Sequence, residues 1–436
     1  MPKTQYKKGN KKVLRAWAFY DWANSVYALV ISTAIFPLYF GSLFEDNQYV
    51  EVFGINYKNT ALIQHTSTLV FTCLAILIPI LSGIADHKKN KVSFLKFFCY
   101  LGSFCCIGLY FFTIENIYLG LFFYFFALFS FWASLVFYNS YLPEIAFPHQ
   151  QDRISALGFS YGYVGSVLLL LINLLMVLFP STFGFEDTIE PMKISFVMVG
   201  LWWAGFSQYT FHYLPKNQIQ FPQKDILKKS ILFGGFYELK NVWKLIRKQE
   251  SIKKFLLAFF VFSCALQTII LIATYFGEQE IIWREGEKQI GLIISTLLIQ
   301  LIAIIGAIYT AKLSEKIGNI QTLIFLNIFW FILCVGGYFI KYSYEFYVVA
   351  AFVGLVMGGI QALSRSTYSK LIPVTENTCS YFSFYQMCMI LSISLGTFMS
   401  GIVDQLTGSL RNSIIIFAVI FIFGAILLKD IKMKKL

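Results

Sequence analysis

Twelve apolar runs dominate this sequence, and each is long enough to cross a lipid bilayer as a helix. A spanning helix needs about 20 predominantly apolar residues. The runs lie near residues 16–43, 61–85, 93–113, 117–142, 155–179, 192–213, 255–277, 289–311, 321–340, 346–364, 382–403 and 412–428. Because only 13% of the 436 residues are charged and 57% are hydrophobic, too few charges remain to cover a water-facing surface. The sequence therefore predicts an all-α polytopic membrane protein with twelve transmembrane helices.

Basic residues are distributed unevenly among the loops between these runs. If the two termini and the loops after the even-numbered runs lie on one side, that side holds 29 of the 35 Lys and Arg residues. Cytoplasmic loops of membrane proteins carry an excess of Lys and Arg, so this distribution predicts that both termini are cytoplasmic. The net charge of +12 is spread over many connectors instead of one surface, which argues against nucleic-acid binding.

Residues that would indicate an enzyme or a metal site do not form recognisable patterns. The eight Cys and four His residues are scattered, without the spacing of a zinc site or of a disulfide framework. The sequence also lacks a Gly-rich phosphate loop, a Ser-His-Asp order and paired carboxylates on one helix. We therefore expect no catalytic residues, no metal and no cofactor. Without a nucleotide-binding loop, transport would have to be driven by an ion gradient or by the gradient of the substrate.

Two features of the first six runs recur in the last six, and both recur at nearly the same distance along the sequence. Asp86 follows the second run and Glu315 follows the eighth, 229 residues later. Pro143 follows the fourth run and Pro373 follows the tenth, 230 residues later. A constant offset indicates an internal duplication. Two parallel six-helix halves are typical of major facilitator transporters.

The most hydrophilic part of the chain separates these two sets of runs. Residues 215–254 contain ten Lys and Arg residues together with mixed apolar residues. We interpret them as a cytoplasmic linker, either a surface amphipathic piece or an unstructured segment. The predicted division is an N-terminal six-helix half over 1–214 and a C-terminal six-helix half over 255–436.

Several motifs resemble one family. Residues 82–91 read SGIADHKKNK, which is similar to the major facilitator loop signature G-x-L-A-D-R-x-G-R-K. Residues 17–27 read WAFYDWANSVY, residues 137–146 read FYNSYLPEIA, residues 152–158 read DRISALG and residues 358–366 read GGIQALSRS. Together they resemble the vacuole-effluxer branch of the major facilitator superfamily, which includes autophagy-related amino-acid effluxers and bacterial permeases.

The resemblance implies a secondary active transporter, either a permease or an effluxer, that moves a small polar or zwitterionic solute by alternating access. Amino acids are the leading substrate class, with a proton as the candidate coupling ion. We expect a monomer in the lipid bilayer. A lipid scramblase or a non-transporting membrane scaffold is the alternative, and saturable solute flux in reconstituted vesicles would distinguish transport from both.

Polar residues inside the apolar runs are the candidates for a substrate site. Asp21, Asn24 and Ser25 lie on one face of the first run, and ionisable groups at this depth usually face the interior of a helix bundle. Asp21 would bind an ammonium group or carry a coupling proton; alternatively it pairs with Arg15 or caps a helix. The predicted substrate-binding residues are Asp21, Asn24, Tyr27, Tyr138, Asn139, Gln267 and Gln361.

Charged residues at the cytoplasmic ends of the runs are the candidates for a gate. An acid at a helix end can accept hydrogen bonds from free backbone N–H groups or pair with a base across the bundle, and breaking such contacts would open that side. The alternative is a set of solvated loops whose charges only set the topology. The predicted gate residues are Asp86, Lys91, Glu315, Lys316 and Arg365.

The cellular membrane is indicated only by composition. No Asn-x-Ser/Thr sequon occurs, and the chain is rich in Lys, Phe and Ile with short loops. These features favour a bacterial cytoplasmic (inner) membrane over a vacuole.

Overall fold

The computed structural model describes residues 7–44, 49–215 and 231–433 of the chain. Within these residues, twelve long helices follow one another. They are α1 (Lys11–Ser42), α2 (Asn59–His87), α3 (Lys91–Gly108), α4 (Ile117–Asn139), α5 (Pro148–Leu178), α6 (Ile189–Tyr213), α7 (Glu250–Glu280), α8 (Lys288–Ile317), α9 (Asn319–Phe339), α10 (Ser343–Leu371), α11 (Thr378–Thr407) and α12 (Leu410–Leu428). A further helix, Ile231–Lys248, lies between α6 and α7 and is named here the linker helix.

Eleven of the twelve helices in the described residues are long and apolar enough to cross a membrane. The exception is α6, which is rich in Trp, Tyr and Ser, residues that rank low on hydropathy scales. It nevertheless packs against α1 and α3, and its Trp203 is fully buried. Aromatic side chains bury a large apolar area whatever their hydropathy rank, so α6 completes the first six-helix set.

The ends of the chain lie on the same side of the bundle. The backbone N–H of Gly9 donates to the carbonyl of Ile145, between α4 and α5, at 2.7 Å. The hydroxyl of Ser251, at the start of α7, donates to the carbonyl of Lys432 at 3.0 Å. We name this side of the bundle the terminal side and the other the opposite side.

The helix packing repeats when each helix number is raised by six. In the first half α1 packs against α5 and α6, and α3 packs against α4 and α6; in the second half α7 packs against α11 and α12, and α9 packs against α10 and α12. The protein therefore consists of two pseudo-symmetric six-helix halves, as the repeated offset predicted. The domain boundaries at 215–254 stay a prediction, and residues 216–230 lie outside the described part of the chain.

The interface between the halves follows the same symmetry. Helix α5 packs against α8 and α10, while α11 packs against α2 and α4. Thus one helix of each half inserts beside two helices of the other. The candidate site and the gate described below lie at this interface between the halves.

Glycines on α10 permit an unusually close approach to α8. A Cβ added at Gly354 would lie 2.5 Å from the carbonyl oxygen of Ile299, and one added at Gly358 would lie 2.2 Å from that of Ala303. Small residues let the backbones of transmembrane helices touch. These two glycines therefore form a packing seam between α8 and α10.

Two local features interrupt the helical pattern near the first helix. Residues Tyr27–Ile35 of α1 form a π-helical turn, a conformation that is common at functional sites. Between α1 and α2, strands β1 (Tyr49–Val52) and β2 (Ile55–Lys58) form an antiparallel hairpin. Its two-residue turn has positive φ at both positions, as a type I′ turn requires.

Candidate functional site

The candidate site is built on a buried ion pair that joins the two halves. A carboxylate oxygen of Asp21, on α1, lies 3.1 Å from Nη1 of Arg365, on α10. The same oxygen accepts a hydrogen bond from the hydroxyl of Tyr138, on α4, at 2.9 Å. Asp21 is only 5% exposed and Arg365 only 3%. Charges that are this well buried require compensation, and here each half supplies the counter-charge for the other.

Further polar and aromatic groups hold Arg365 in place. Its Nε donates to the Ser155 hydroxyl at 2.9 Å and its Nη2 to the Ser155 carbonyl at 2.8 Å. Its Nη1 also donates to the Asn139 amide oxygen at 3.3 Å. The guanidinium lies over the rings of Phe159, at 4.3 Å, and Trp17, at 4.9 Å. A planar guanidinium combines such hydrogen bonds with stacking, which a lysine ammonium would not reproduce.

Space for the ion pair depends on a glycine of α5. A Cβ added at Gly158 would lie 2.5 Å from the Asp21 carboxylate oxygen and 3.0 Å from Nη2 of Arg365. The carboxylate cannot move aside freely because Tyr138 and Arg365 both bind it. Gly158 therefore makes room for the charged groups and not only for close helix packing.

We expect Gly158→Ala to destabilise the protein by about 1–3 kcal/mol, the usual cost of inserting a group into a packed interior. Gly205→Ala on α6 is the matched control, because a Cβ there meets no atom within 4 Å. Ala has the better helix propensity, so the control should melt at the same temperature as the native protein or higher. Thermal unfolding of both purified variants in detergent measures this. Equal melting temperatures for the two variants would contradict the role of Gly158.

The remaining predicted substrate residues lie at different distances from the ion pair. Gln361 lies one turn before Arg365 on α10 and accepts a hydrogen bond from the Tyr163 hydroxyl of α5 at 2.9 Å, so it also joins the halves. Asn24 lies one turn after Asp21, is 1% exposed, and its amide nitrogen has no hydrogen-bond partner in the described residues.

Gln267, in the second half, and Tyr27, in the first half, each contact residues of their own half. The Gln267 amide lies 3.6 Å from the sulfur of Met389, on α11. The Tyr27 ring stacks on Phe131 of α4 at 4.9 Å and lies 6.0 Å from the Trp203 ring of α6. The structure thus brings together Asp21, Tyr138, Asn139 and Arg365, but it places Tyr27 in the core of the first half, away from them. The substrate role of Tyr27 stays a prediction.

A cavity lies beyond the ion pair in the direction of the opposite side. Its volume is about 130 Å³, and it is lined by residues of α7, α8, α9, α10 and α12 together with Leu29 and Thr33 of α1. Leu29 is eight residues after Asp21, which corresponds to about 12 Å along a helix. All of the residues that line the cavity are uncharged, and most are apolar.

On the terminal side, Asp86 connects the two halves as a helix cap. It lies at the end of α2 and accepts hydrogen bonds from the backbone N–H groups of Cys379, at 3.1 Å, and Ser380, at 2.7 Å, in the first turn of α11. The Ser380 hydroxyl adds a third bond at 2.7 Å. The first N–H groups of a helix have no partner within it and attract negative charge. We name this contact the Asp86 contact.

Lys91 strengthens the same junction. Its ammonium forms an ion pair with Glu144, in the segment between α4 and α5, and donates to the Thr378 hydroxyl of α11 at 2.8 Å. Thr378 in turn donates to Glu144 at 2.7 Å. Lys91 is 2% exposed, so the group is largely shielded from water.

A second junction on the terminal side is formed by residues that were not predicted. Asp152, at the start of α5, pairs with Lys370 at the end of α10 at 2.5 Å. It also accepts from the Asn319 amide of α9 at 2.8 Å and from the Ser314 hydroxyl of α8 at 3.1 Å. We name this group the Asp152 contact. By the pseudo-symmetry of the halves, it corresponds to the Asp86 contact.

The structure places Glu315 and Lys316 outside the contacts between the halves, and their role in a gate stays a prediction. Both residues are exposed, and in the described part of the chain neither takes part in an ion pair. Ser314 and Asn319 make the contact between the halves instead. Successive residues of a helix point about 100° apart, so Glu315 faces away from the interface that the adjacent Ser314 contacts. Arg365, which was also predicted at the gate, lies in the ion pair with Asp21 that joins the halves.

The sequence contained a partial signal for the residues that were missed. The motif at 152–158 includes Asp152, Ser155 and Gly158, all of which contact the ion pair or the second junction. They lie at positions i, i+3 and i+6 and so share one side of α5. The other missed residues are Trp17, Glu144, Phe159, Tyr163, Ser314, Asn319, Lys370 and Thr378.

Comparison with known proteins gives concordant matches along almost the whole chain. The family model described as "Vacuole effluxer Atg22 like" matches residues 9–435. The MFS-type transporter YxiO of Bacillus subtilis is 29% identical over 95% of this chain and 93% of its own length. Autophagy-related protein 22 of Pichia angusta is 25% identical over 92% of this chain and 78% of its own length.

Solved structures with the same fold are also found. The transporter FucP, crystallised in the outward conformation, has a TM-score of 0.71 at 15% identity, covering 97% of this chain and 99% of FucP. A bacterial homologue of the iron transporter ferroportin, in an outward-facing state, has a TM-score of 0.65 at 10% identity, covering 96% of this chain and 97% of the homologue. At these identities the likeness concerns the fold alone.

Proposed function

This chain belongs to the Atg22-like vacuole effluxer family of major facilitator transporters, and we propose that it carries a zwitterionic amino acid by alternating access. The observation that carries the proposal is the buried ion pair between Asp21 and Arg365. This pair lies where the two halves meet. A cargo that passes between the halves has to separate Asp21 from Arg365.

Charge balance at this pair favours a zwitterion over a singly charged solute. A lone cation bound to Asp21 would leave Arg365 buried without a partner, and a lone anion bound to Arg365 would leave Asp21 unpaired. Removing one partner of a buried pair costs about 3–5 kcal/mol. A zwitterion places its ammonium on Asp21 and its carboxylate on Arg365, so every charge keeps a partner. Asn24 and Gln361, each one turn away, offer hydrogen bonds to the same cargo.

The cavity supports a cargo whose side chain is neutral. Its walls carry no charge, and they come from Ile, Leu, Val, Phe and Thr among other uncharged residues. A second charge on the cargo would find no counter-charge on this path, and uncompensated charge is costly in a membrane interior. We therefore expect neutral amino acids to be preferred over Arg, Lys, Asp or Glu.

In this proposal the Asp86 and Asp152 contacts form a gate on the terminal side. The excess of basic residues on that side favours a cytoplasmic location, and the chain composition favours a bacterial inner membrane. Transport by a monomer would proceed as the halves 1–214 and 255–436 rock about the ion pair while the linker 215–254 connects them. The cargo would then enter from the opposite side when these contacts are closed.

A ligand-stabilisation screen with a chemically matched series tests the proposal. The series consists of leucine, N-acetyl-leucine, which lacks the ammonium, leucinamide, which lacks the carboxylate, and isocaproate, which lacks the amino group. We expect only leucine, or another neutral amino acid, to raise the melting temperature of the purified protein and to show saturable counterflow in proteoliposomes.

Two outcomes would contradict the proposal. Stabilisation by isocaproate that increases as the pH is lowered would indicate an anion carried with a proton. The absence of saturable flux for every solute tested, in vesicles that retain folded protein, would indicate that the protein is not a transporter of small solutes.

A further inference from the structure

The linker helix docks on the transmembrane bundle through a narrow apolar face. Val242 and Ile246 lie one turn apart and are 0% and 3% exposed. The helix packs against α2 and α11. The Trp243 ring stacks on Phe384, at the terminal-side end of α11, with 5.4 Å between ring centroids. The linker helix therefore touches the two helices that the Asp86 contact joins.

The other face of this helix is basic and exposed. Lys240, Lys244, Arg247 and Lys248 lie at positions i, i+4, i+7 and i+8, which places them on one side of the helix. All four are exposed, and in the described part of the chain none of them forms an ion pair. The Arg247 guanidinium lies over the Trp243 ring at 5.9 Å. We name these four residues the linker basic face.

The position of this face identifies its partner. Glu250, two residues after Lys248, begins α7, which is long and apolar enough to cross a membrane. The linker helix therefore adjoins the terminal-side end of that helix, where lipid headgroups would lie. Trp243 is 46% exposed beside the basic residues. A basic helix face with exposed Trp is typical of helices that lie in the membrane interface and bind anionic lipids.

We propose that the linker basic face binds the anionic lipid headgroups of the leaflet on the terminal side. Four cations side by side have no other counter-charge in the described residues, and headgroup phosphates supply it. Lipid bound there holds the linker helix against α2 and α11. This inference concerns a surface separate from the ion pair and does not depend on the identity of the cargo.

Fluorescence quenching of full-length protein in vesicles tests the proposal. The vesicles contain phosphatidylcholine alone or mixed with phosphatidylglycerol, and one lipid at a time carries brominated chains. The Trp243 signal is the difference between the native protein and Trp243→Phe. We expect brominated phosphatidylglycerol to quench this signal at a lower mole fraction than brominated phosphatidylcholine does.

A quadruple variant and a matched control complete the experiment. In K240Q/K244Q/R247Q/K248Q the preference for phosphatidylglycerol should fall by at least about tenfold, since each basic residue near an anionic surface contributes about 1 kcal/mol. The control K11Q/K12Q/K312Q/K316Q removes the same charge from exposed residues on the same side and should keep the preference. Equal melting temperatures show that both variants are folded.

Three results would overturn the proposal. They are equal quenching by the two lipids, an unchanged preference in the quadruple variant, and an equal loss in the control variant. Removal of the preference by inorganic phosphate in solution would also overturn it, because the face would then bind free anions instead of the lipid surface.

Discussion

Replacing Asp21 by Asn should lower both the stability of the protein and its affinity for cargo, whereas adding Arg365→Gln should restore only the stability. The single change leaves the Arg365 guanidinium buried without its counter-charge, which costs about 3–5 kcal/mol. In the double variant no buried charge remains unpaired. Asn has nearly the size of Asp, and Gln, although shorter than Arg, keeps a polar amide in the same position, so the two halves should still pack. Thermal unfolding of the two variants and the native protein measures this difference.

The affinity for cargo should remain low in the double variant. A hydrogen bond to a charged group contributes about 1.5–3 kcal/mol, which corresponds to about 10- to 150-fold in affinity. Counterflow measured over a range of cargo concentrations would reveal this loss in both variants. If Asp21 serves only to carry a coupling proton, Asp21→Asn should instead abolish gradient-driven accumulation while counterflow persists. Normal accumulation in Asp21→Asn would show that the residue is purely structural.

The fold could be predicted from the sequence because its determinants are local. In lipid, every backbone N–H and C=O must be satisfied within the protein, which allows only helices or closed barrels to span. A long apolar run therefore predicts its own helix without knowledge of its neighbours. The predicted helices, the two halves and the membership of the family are confirmed. Helix α6 is less apolar than the other eleven helices of the described residues, and its aromatic residues nevertheless pack inside the bundle.

The candidate site could be predicted only in part because its contacts are distant in sequence. Asp21 and Arg365 are 344 residues apart. The sequence placed Asp21 at the substrate site and Arg365 at the gate, and neither assignment indicated their pairing. That pairing depends on how α1 and α10 are rotated about their own axes and on the space that Gly158 leaves between them. Helix rotation is set by packing against neighbours, which a single sequence does not display.

The gate shows a related limit of prediction from a repeat. The offset between the halves was correct to within a residue, which sufficed to align the helices. It did not suffice to align side chains, since one residue corresponds to about 100° of rotation. The predicted gate residue Glu315 is exposed, whereas the adjacent Ser314 is buried and contacts Asp152 of the other half. The acid of the second junction, Asp152, is supplied by α5 and has no acidic counterpart on α8 at the interface.

Replacing Asp152 by Asn should open the terminal side and expose Cys379 to water. Cys379 lies in the other junction, is fully buried, and donates its backbone N–H to Asp86. It is therefore a natural reporter that the substitution does not touch. Asp152 is the counter-charge of the nearly buried Lys370, and without it the closed arrangement of both junctions should be less stable. Loss of one charged hydrogen bond should destabilise the closed arrangement by about 1.5–3 kcal/mol. The fraction of open molecules, and with it the rate at which Cys379 reacts, should then rise by about 10- to 150-fold.

The measurement is the rate at which a water-soluble maleimide labels the Cys379 peptide, quantified by mass spectrometry so that the seven other Cys residues can remain. Glu315→Gln is the matched control, because it neutralises an exposed acid next to Ser314 without removing a contact between the halves. Its labelling rate should equal that of the native protein. Lys370→Met should accelerate labelling as Asp152→Asn does, because it breaks the same pair from the other half. If only Asp86→Asn accelerates labelling, the two junctions open independently, and they do not form one gate.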